Sequence, residues 1–109
     1  YNYISPDLLV TFLKHAYSHS DIFQKLYSAL PIGGVDGTLR NRMKLGTLSN
    51  RMVHAKTGSF TGINCLAGYL TANNGHLIAF AIMNQNVLWP NRAREFQDAV
   101  CDEIIKWAE

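Results

Sequence analysis

Apolar residues recur at helical spacing through the first thirty positions of the chain, and this predicts two helices. Ser5-Pro6-Asp7 is a helix start, because Ser5 can cap, proline fits the first helical position and Asp7 complements the helix dipole. A polar break at residues 18–21 separates the two stripes, and Pro31 ends the second. The apolar positions are Leu8, Leu9, Phe12, Leu13, Ala16 and Tyr17, then Ile22, Phe23, Leu26, Tyr27 and Leu30.

The middle of the chain is rich in glycine and predicts loops around one short helix. Three glycines lie within or at the end of the segment Pro31–Gly37, and a second loop is expected at Gly46–Asn50. Between them, Thr38–Lys44 is predicted to form a short basic helix.

The second half of the chain changes to a strand-like pattern. It predicts strands at Met52–Thr57, Ile63–Ala72 and His76–Asn84, with Asn73-Asn74-Gly75 as the hairpin turn between the last two. A final helix follows Pro90. Its predicted buried face is Ala93, Phe96, Val100, Ile104 and Trp107. The order of elements predicts an α+β fold, an antiparallel sheet with flanking helices.

Composition agrees with a globular domain and excludes several functions. The 109 residues are 48% hydrophobic and 17% charged, with a formal net charge of +2. The basic residues are scattered, which argues against nucleic acid as a partner. The longest apolar stretch, Leu77–Met83, is too short to span a bilayer. Two cysteines, Cys65 and Cys101, are expected to be buried free thiols, although spacing leaves a bridge between them open.

The chemistry of the chain is concentrated in Lys56-Thr57-Gly58-Ser59, placed at the end of a predicted strand. Lys56 supplies a point charge, and Thr57 and Ser59 supply hydroxyls one pleat apart on the same side. Gly58 lets a substrate backbone approach closely, and the N–H group after it can serve as half of an oxyanion hole. Lys-Thr-Gly is one of three motifs of the penicillin-binding serine enzymes. The alternative is that Lys56 is a solvated residue of an edge strand and that Thr57-Gly58-Ser59 is ordinary turn chemistry.

A resemblance across the chain favours the enzymatic interpretation. Gly34-Val35-Asp36-Gly37-Thr38-Leu39, then Lys56-Thr57-Gly58-Ser59, then Gly62-Ile63 and Leu66-Ala67-Gly68-Tyr69 resemble the S13 (class C, DacB-type) D-alanyl-D-alanine carboxypeptidases. The opening residues, Tyr1-Asn2-Tyr3-Ile4-Ser5-Pro6, are also similar to a segment of that family's transpeptidase domain.

The resemblance implies a penicillin-binding fold with Lys56, Thr57 and Gly58 lining the cleft. Lys56 would organise proton transfer, while Thr57 and Ser59 would hold the terminal carboxylate of D-alanine or of a β-lactam. The Ser59 N–H would be the second oxyanion donor. No metal or organic cofactor is implied, the partners would be peptidoglycan peptides and β-lactams, and the location would be the periplasm or cell envelope.

Two motifs of the family are missing from the sequence. No serine is followed by lysine three positions later, and Ser-x-Asn does not occur. Ser59 and Lys56 are three apart on a strand, so they lie on opposite faces and Lys56 is poorly placed to activate Ser59. Residues 1–109 are therefore expected to be an inactive C-terminal portion of a penicillin-binding domain, which needs the upstream part of the same polypeptide and which self-associates through uncovered apolar faces when isolated.

Two rival hypotheses remain open at this stage. The chain could be a non-catalytic module that binds a peptide carboxylate on a penicillin-binding-like sheet. It could also be an α+β domain in which Lys56-Thr57-Gly58 is accidental.

Overall fold

The computed structural model describes residues 5–60, 62–85 and 89–107, except for the side chain of Phe60. The resemblance at residues 1–4 therefore lies outside the described residues. The elements in chain order are α1 (Pro6–Tyr17), α2 (Ser20–Ala29), a 3₁₀ turn (Gly37–Leu39), β1 (Val53–Phe60), β2 (Ile63–Thr71), β3 (Leu77–Gln85) and α3 (Pro90–Trp107). The predicted α+β class is confirmed.

The three strands form one antiparallel sheet in the order β1-β2-β3. The predicted turn between β2 and β3 is confirmed, and Gly75 adopts a φ of 85° that glycine tolerates without strain. β1 is longer than predicted, because Gly58 and Ser59 pair with Cys65 and Asn64 of β2. The Lys-Thr-Gly segment thus lies inside a strand rather than at the start of a turn.

Helices cover both faces of the sheet and divide the core in two. On one face, α1 and α2 pack through Leu13, Leu30, Tyr69 and their neighbours. On the other face, α3 and the segment around the 3₁₀ turn enclose the larger cluster. Its buried members are Leu39, Met43, Val53, Ala55, Leu66, Leu70, Phe80, Cys101 and Ile105. Because both faces are packed, a shift of β1 by one residue would expose one core and bury polar groups in the other.

Two helix predictions were wrong in detail. The short helix expected at Thr38–Lys44 is only the turn Gly37–Leu39, and Met43 has a φ of 53°, which a right-handed helix does not allow. The buried face of α3 is Ala93, Gln97, Cys101 and Ile105, while Phe96 and Trp107 are 55% and 68% exposed. The apolar pattern missed this face because one of its positions is a glutamine.

The described part of the chain contains no helix with both the length and the apolar character needed to cross a bilayer.

Both cysteines are free thiols, Cys101 buried and Cys65 half-buried. Burial raises the pKa of Cys101 to about 12, so its thiol stays protonated at neutral pH.

Tyr69 ties the sheet to α1. Its side chain is 1% exposed and its hydroxyl donates a hydrogen bond of 2.6 Å to the carbonyl oxygen of Leu13. We expect Tyr69→Phe to lower the free energy of unfolding by about 1–2 kcal/mol, because a buried hydrogen bond is lost at nearly constant shape. Urea denaturation should detect this change. The control Tyr17→Phe, at a side chain that is 58% exposed, should change it by no more than about 0.5 kcal/mol. Equal effects of the two substitutions would contradict this role of Tyr69.

Candidate active-site wall

The outer edge of β1 is covered along its first half and open along its second. The Ala55 N–H donates to the Pro31 oxygen at 2.9 Å, and the Gly33 N–H donates to the Val53 oxygen at 2.8 Å. Because backbone groups alternate between the two edges of an antiparallel strand, the N–H groups of Thr57 and Ser59 point to this same edge. No strand among the described residues pairs with that edge beyond Ala55.

The side chains of the motif divide between the two faces of the sheet. Thr57 and Ser59 share the face that packs on α3, as the spacing predicted, and Lys56 lies on the opposite face. Lys56 is exposed, and its ammonium nitrogen Nζ donates a hydrogen bond of 2.7 Å to the carbonyl oxygen of Thr57. Lys56 and Ser59 therefore project to opposite sides.

The two segments that carry the family resemblance meet in space. The hydroxyl of Thr57 donates a hydrogen bond of 3.0 Å to the hydroxyl oxygen of Thr38, which lies in the turn Gly37–Leu39. The hydroxyl of Ser59 lies 3.4 Å from the amide oxygen of Asn64, its partner in the β1–β2 register. Both hydroxyls are thus held at the sheet surface by short polar neighbours.

A cavity of about 550 Å³ opens above these hydroxyls. Among the described residues, its lining has three cationic side chains and no acidic one. The lining residues are Thr38, Arg42, Lys56, Thr57, Gly58, Ser59, Asn64, Cys65, Arg94 and Gln97. A pocket of this size, with hydroxyls, amides and positive charge, suits an anionic organic ligand.

Arg42 stabilises the side of the cavity that lies across from β1, through hydrogen bonds to residues of α3. Its guanidinium donates to Asp98 at 2.6 and 3.0 Å and to the Gln97 amide oxygen at 3.1 Å, and its side chain is only 11% exposed. The Gln97 amide nitrogen in turn donates to the Asn84 amide oxygen at 3.0 Å. In the sequence, Arg42 is one basic residue of the short helix predicted at Thr38–Lys44. No local pattern could have identified a partner 56 residues away.

His54 supports β1 from the side of α2. Its ring stacks on Tyr27 with centroids 4.0 Å apart, and its Nδ1 atom is buried without a hydrogen-bond partner. Burial lowers the pKa of His54, so the ring is neutral at pH 7. His54 is half-buried and lies outside the cavity lining, so its contacts are with α2.

A larger groove of about 800 Å³ lies between α1 and the β2–β3 turn. Lys14, Tyr17 and His76 line it, together with apolar residues of α1, β2 and β3. None of the motif residues lines this groove, so the smaller cavity at β1 is the better candidate site.

Within the described ranges, no group of three or more His, Cys, Asp or Glu side chains is placed to hold a metal ion.

Sequence comparison finds relatives among bacterial and eukaryotic carboxypeptidases. The D-alanyl-D-alanine carboxypeptidase of Actinomadura sp. (strain R39) is 35% identical over 112 residues, which cover 98% of this chain and 20% of that protein. The penicillin-sensitive carboxypeptidase A of Dictyostelium discoideum is 40% identical over 73 residues, covering 66% of this chain and 14% of that protein. The chain thus spans a fifth or less of the length of these two relatives.

The fold matches a solved structure over almost its whole length. Penicillin binding protein 4 (dacB) from Haemophilus influenzae superimposes with a TM-score of 0.81 and 27% identity, covering 95% of this chain and 25% of that one. The same protein complexed with a β-lactam gives a TM-score of 0.80. The chain also matches the family described as D-Ala-D-Ala carboxypeptidase 3 (S13) over residues 1–106. With its strand motif on the open edge of a penicillin-binding fold, the chain belongs to the D-Ala-D-Ala carboxypeptidase 3 (S13) family.

Proposed function

We propose that this chain is the C-terminal portion of the penicillin-binding domain of a serine D-alanyl-D-alanine carboxypeptidase/endopeptidase. The enzyme would cleave peptidoglycan stem peptides through an acyl-enzyme and would bind β-lactams. The observation that carries the proposal is the open edge of β1 beside a cationic cavity, with two hydroxyls on one face. The nucleophilic serine, its lysine and the Ser-x-Asn element would come from the upstream part of the polypeptide.

The edge of β1 supports binding of an extended peptide. Its open half offers the N–H groups of Thr57 and Ser59, so a substrate can add as a further strand. In this arrangement the hydroxyls of Thr57 and Ser59 hold the carboxylate of the C-terminal residue. The Ser59 N–H stabilises the oxyanion that forms when the serine adds to the peptide carbonyl. The C-terminal residue then leaves as the amine, and water hydrolyses the ester.

The side chain of Lys56 leaves β1 on the face opposite to the hydroxyls of Thr57 and Ser59. Its exposed ammonium group has no carboxylate partner among the described side chains, so it is free to interact with an upstream element. In the proposed enzyme it helps to organise proton transfer and adds positive charge at the anionic end of the substrate. Gly58 leaves the strand without a side chain at the point where the substrate approaches.

The non-catalytic binding module is not favoured, because the relatives of the chain are named as carboxypeptidases. The family also supports a periplasmic or cell-envelope location for the enzyme. The full-length reading frame should contain Ser-x-x-Lys and Ser-x-Asn upstream of this segment. Their absence would favour the hypothesis of a non-catalytic binding module.

Substitution of Lys56 tests the catalytic role of the motif. In the full-length protein, Lys56→Met should slow acylation by a fluorescent penicillin by about 10²-fold, the typical effect of removing one electrostatic stabiliser. The rate of covalent labelling, followed by gel fluorescence, measures this. Lys44→Met is the matched control, because Lys44 is exposed and does not line the cavity. Equal acylation rates in the two variants would count against the role of Lys56.

Substitution of Thr57 tests carboxylate recognition. The kcat/KM of the full-length protein should be higher for a peptide ending in D-Ala-D-Ala carboxylate than for its C-terminal amide. Thr57→Val should reduce this ratio about tenfold or more, because a hydrogen bond to a charged group contributes about 1.5–3 kcal/mol.

Thr38→Val is the control for this experiment, since it removes the hydrogen-bond partner of Thr57 but leaves the Thr57 hydroxyl in place. It should retain most of the preference for the carboxylate. A ratio that falls equally in both variants would mean that the Thr57 hydroxyl acts only through its contact with Thr38.

The isolated 109-residue chain should not react covalently with penicillin. It contains no Ser-x-x-Lys pair, and Lys56 and Ser59 project from opposite faces of β1. Intact-mass spectrometry after incubation with penicillin should show the unmodified chain, while the full-length protein gains one acyl group. Light scattering of the same sample should report self-association through exposed apolar side chains such as Leu8, Phe12 and Phe96. A penicillin adduct on the isolated chain would refute the proposed division of the active site.

A further inference from the structure

The cavity at β1, of about 550 Å³, lies between the sheet and α3. Thr57 and Ser59 lie on the sheet side of the cavity, and Arg94 and Gln97 of α3 lie across from them. Arg94 therefore shares one cavity with the two hydroxyls proposed to hold the carboxylate of the C-terminal residue.

The three cationic side chains described in the cavity lining differ in the partners that their charged groups contact. Arg42 is paired with Asp98 through two short hydrogen bonds and is mostly buried, so its charge is neutralised. The Lys56 side chain leaves β1 on the opposite face from the hydroxyls, and its ammonium group donates to the carbonyl oxygen of Thr57 at the strand edge. Arg94 is exposed, forms no ion pair within the described part of the chain, and donates only to a neutral group, the amide oxygen of Asn91 at 2.8 Å.

We propose that Arg94 forms a second anion-binding point on the leaving-group side of the cleft. The preferred substrates would then include peptides whose C-terminal D-residue carries an acidic side chain, and not only those ending in D-alanine. This inference rests on the proposed function, because it assumes that Thr57 and Ser59 hold the terminal carboxylate. The described part of the cavity lining supports it, since it has no acidic residue and the nearby Asp98 carboxylate is paired with Arg42.

The experiment compares two isosteric side chains on the leaving residue. The full-length protein is given one peptide ending in D-Ala-D-Ala and the same peptide with D-glutamate or D-glutamine as the last residue. We expect kcat/KM for D-glutamate to exceed that for D-glutamine by about fivefold, as for a partly exposed ion pair with charge-assisted hydrogen bonds. Arg94→Gln should bring the ratio close to one, and Arg94→Lys should retain part of it.

Arg92→Gln is the matched control, because it removes the same charge from an exposed position of α3 outside the cavity lining. It should keep the full preference for D-glutamate. Equal kcat/KM values for D-glutamate and D-glutamine in the wild type, or a preference that survives Arg94→Gln, would overturn the Arg94 site while D-Ala-D-Ala is still cleaved. A full-length protein that cleaves no D-Ala-D-Ala peptide would overturn the proposed function, and the Arg94 site with it.

Discussion

The double alternation of β1 is the constraint on which the site depends. Side chains alternate between the two faces of a strand, and backbone groups alternate between its two edges. Thr57 and Ser59 therefore share both a face and an edge, which brings their hydroxyls and their N–H groups to one side of the cleft. Lys56 falls on the other face by the same rule. A shift of one residue in the β1–β2 register would exchange these roles, and the packed cores on both faces prevent it.

Close packing around β1 keeps this geometry fixed. Gly68 lies opposite Ala55, and a Cβ atom at position 68 would come within 2.6 Å of the Ala55 Cα, so only glycine permits this approach of the strands. On the outer edge, the Pro31–Gly33 segment pairs with the first half of β1 and stops before Lys56. The ion pair between Arg42 and Asp98 joins the segment after Thr38 to α3. Because it is largely shielded from water, the loss of either partner would leave a charge poorly compensated.

Local patterns predicted most of the architecture, and contacts distant in sequence account for what they missed. The helices, the strands and the turn at Gly75 follow from periodicity and turn chemistry, and so does the shared face of Thr57 and Ser59. The extension of β1 through Gly58 could not be predicted, because glycine and serine are typical of a turn until β2 supplies hydrogen-bond partners. The meeting of Thr38 with Thr57 and the burial of Arg42 depend on tertiary packing. Single-sequence periodicity carries no information on such contacts.

The difference in period between helix and strand explains why, in the proposed enzyme, this wall would hold the substrate while the nucleophile would come from another element. A nucleophile and its base at a spacing of three share one face on a helix, as a Ser-x-x-Lys pair requires. On β1 the same spacing separates Lys56 from Ser59, while a spacing of two brings Thr57 and Ser59 together. Strand geometry thus suits a row of donors for a carboxylate and an oxyanion, and helix geometry suits an activated nucleophile. An acyl-transfer site that needs both must be assembled from a strand edge and a helix that meet across the cleft.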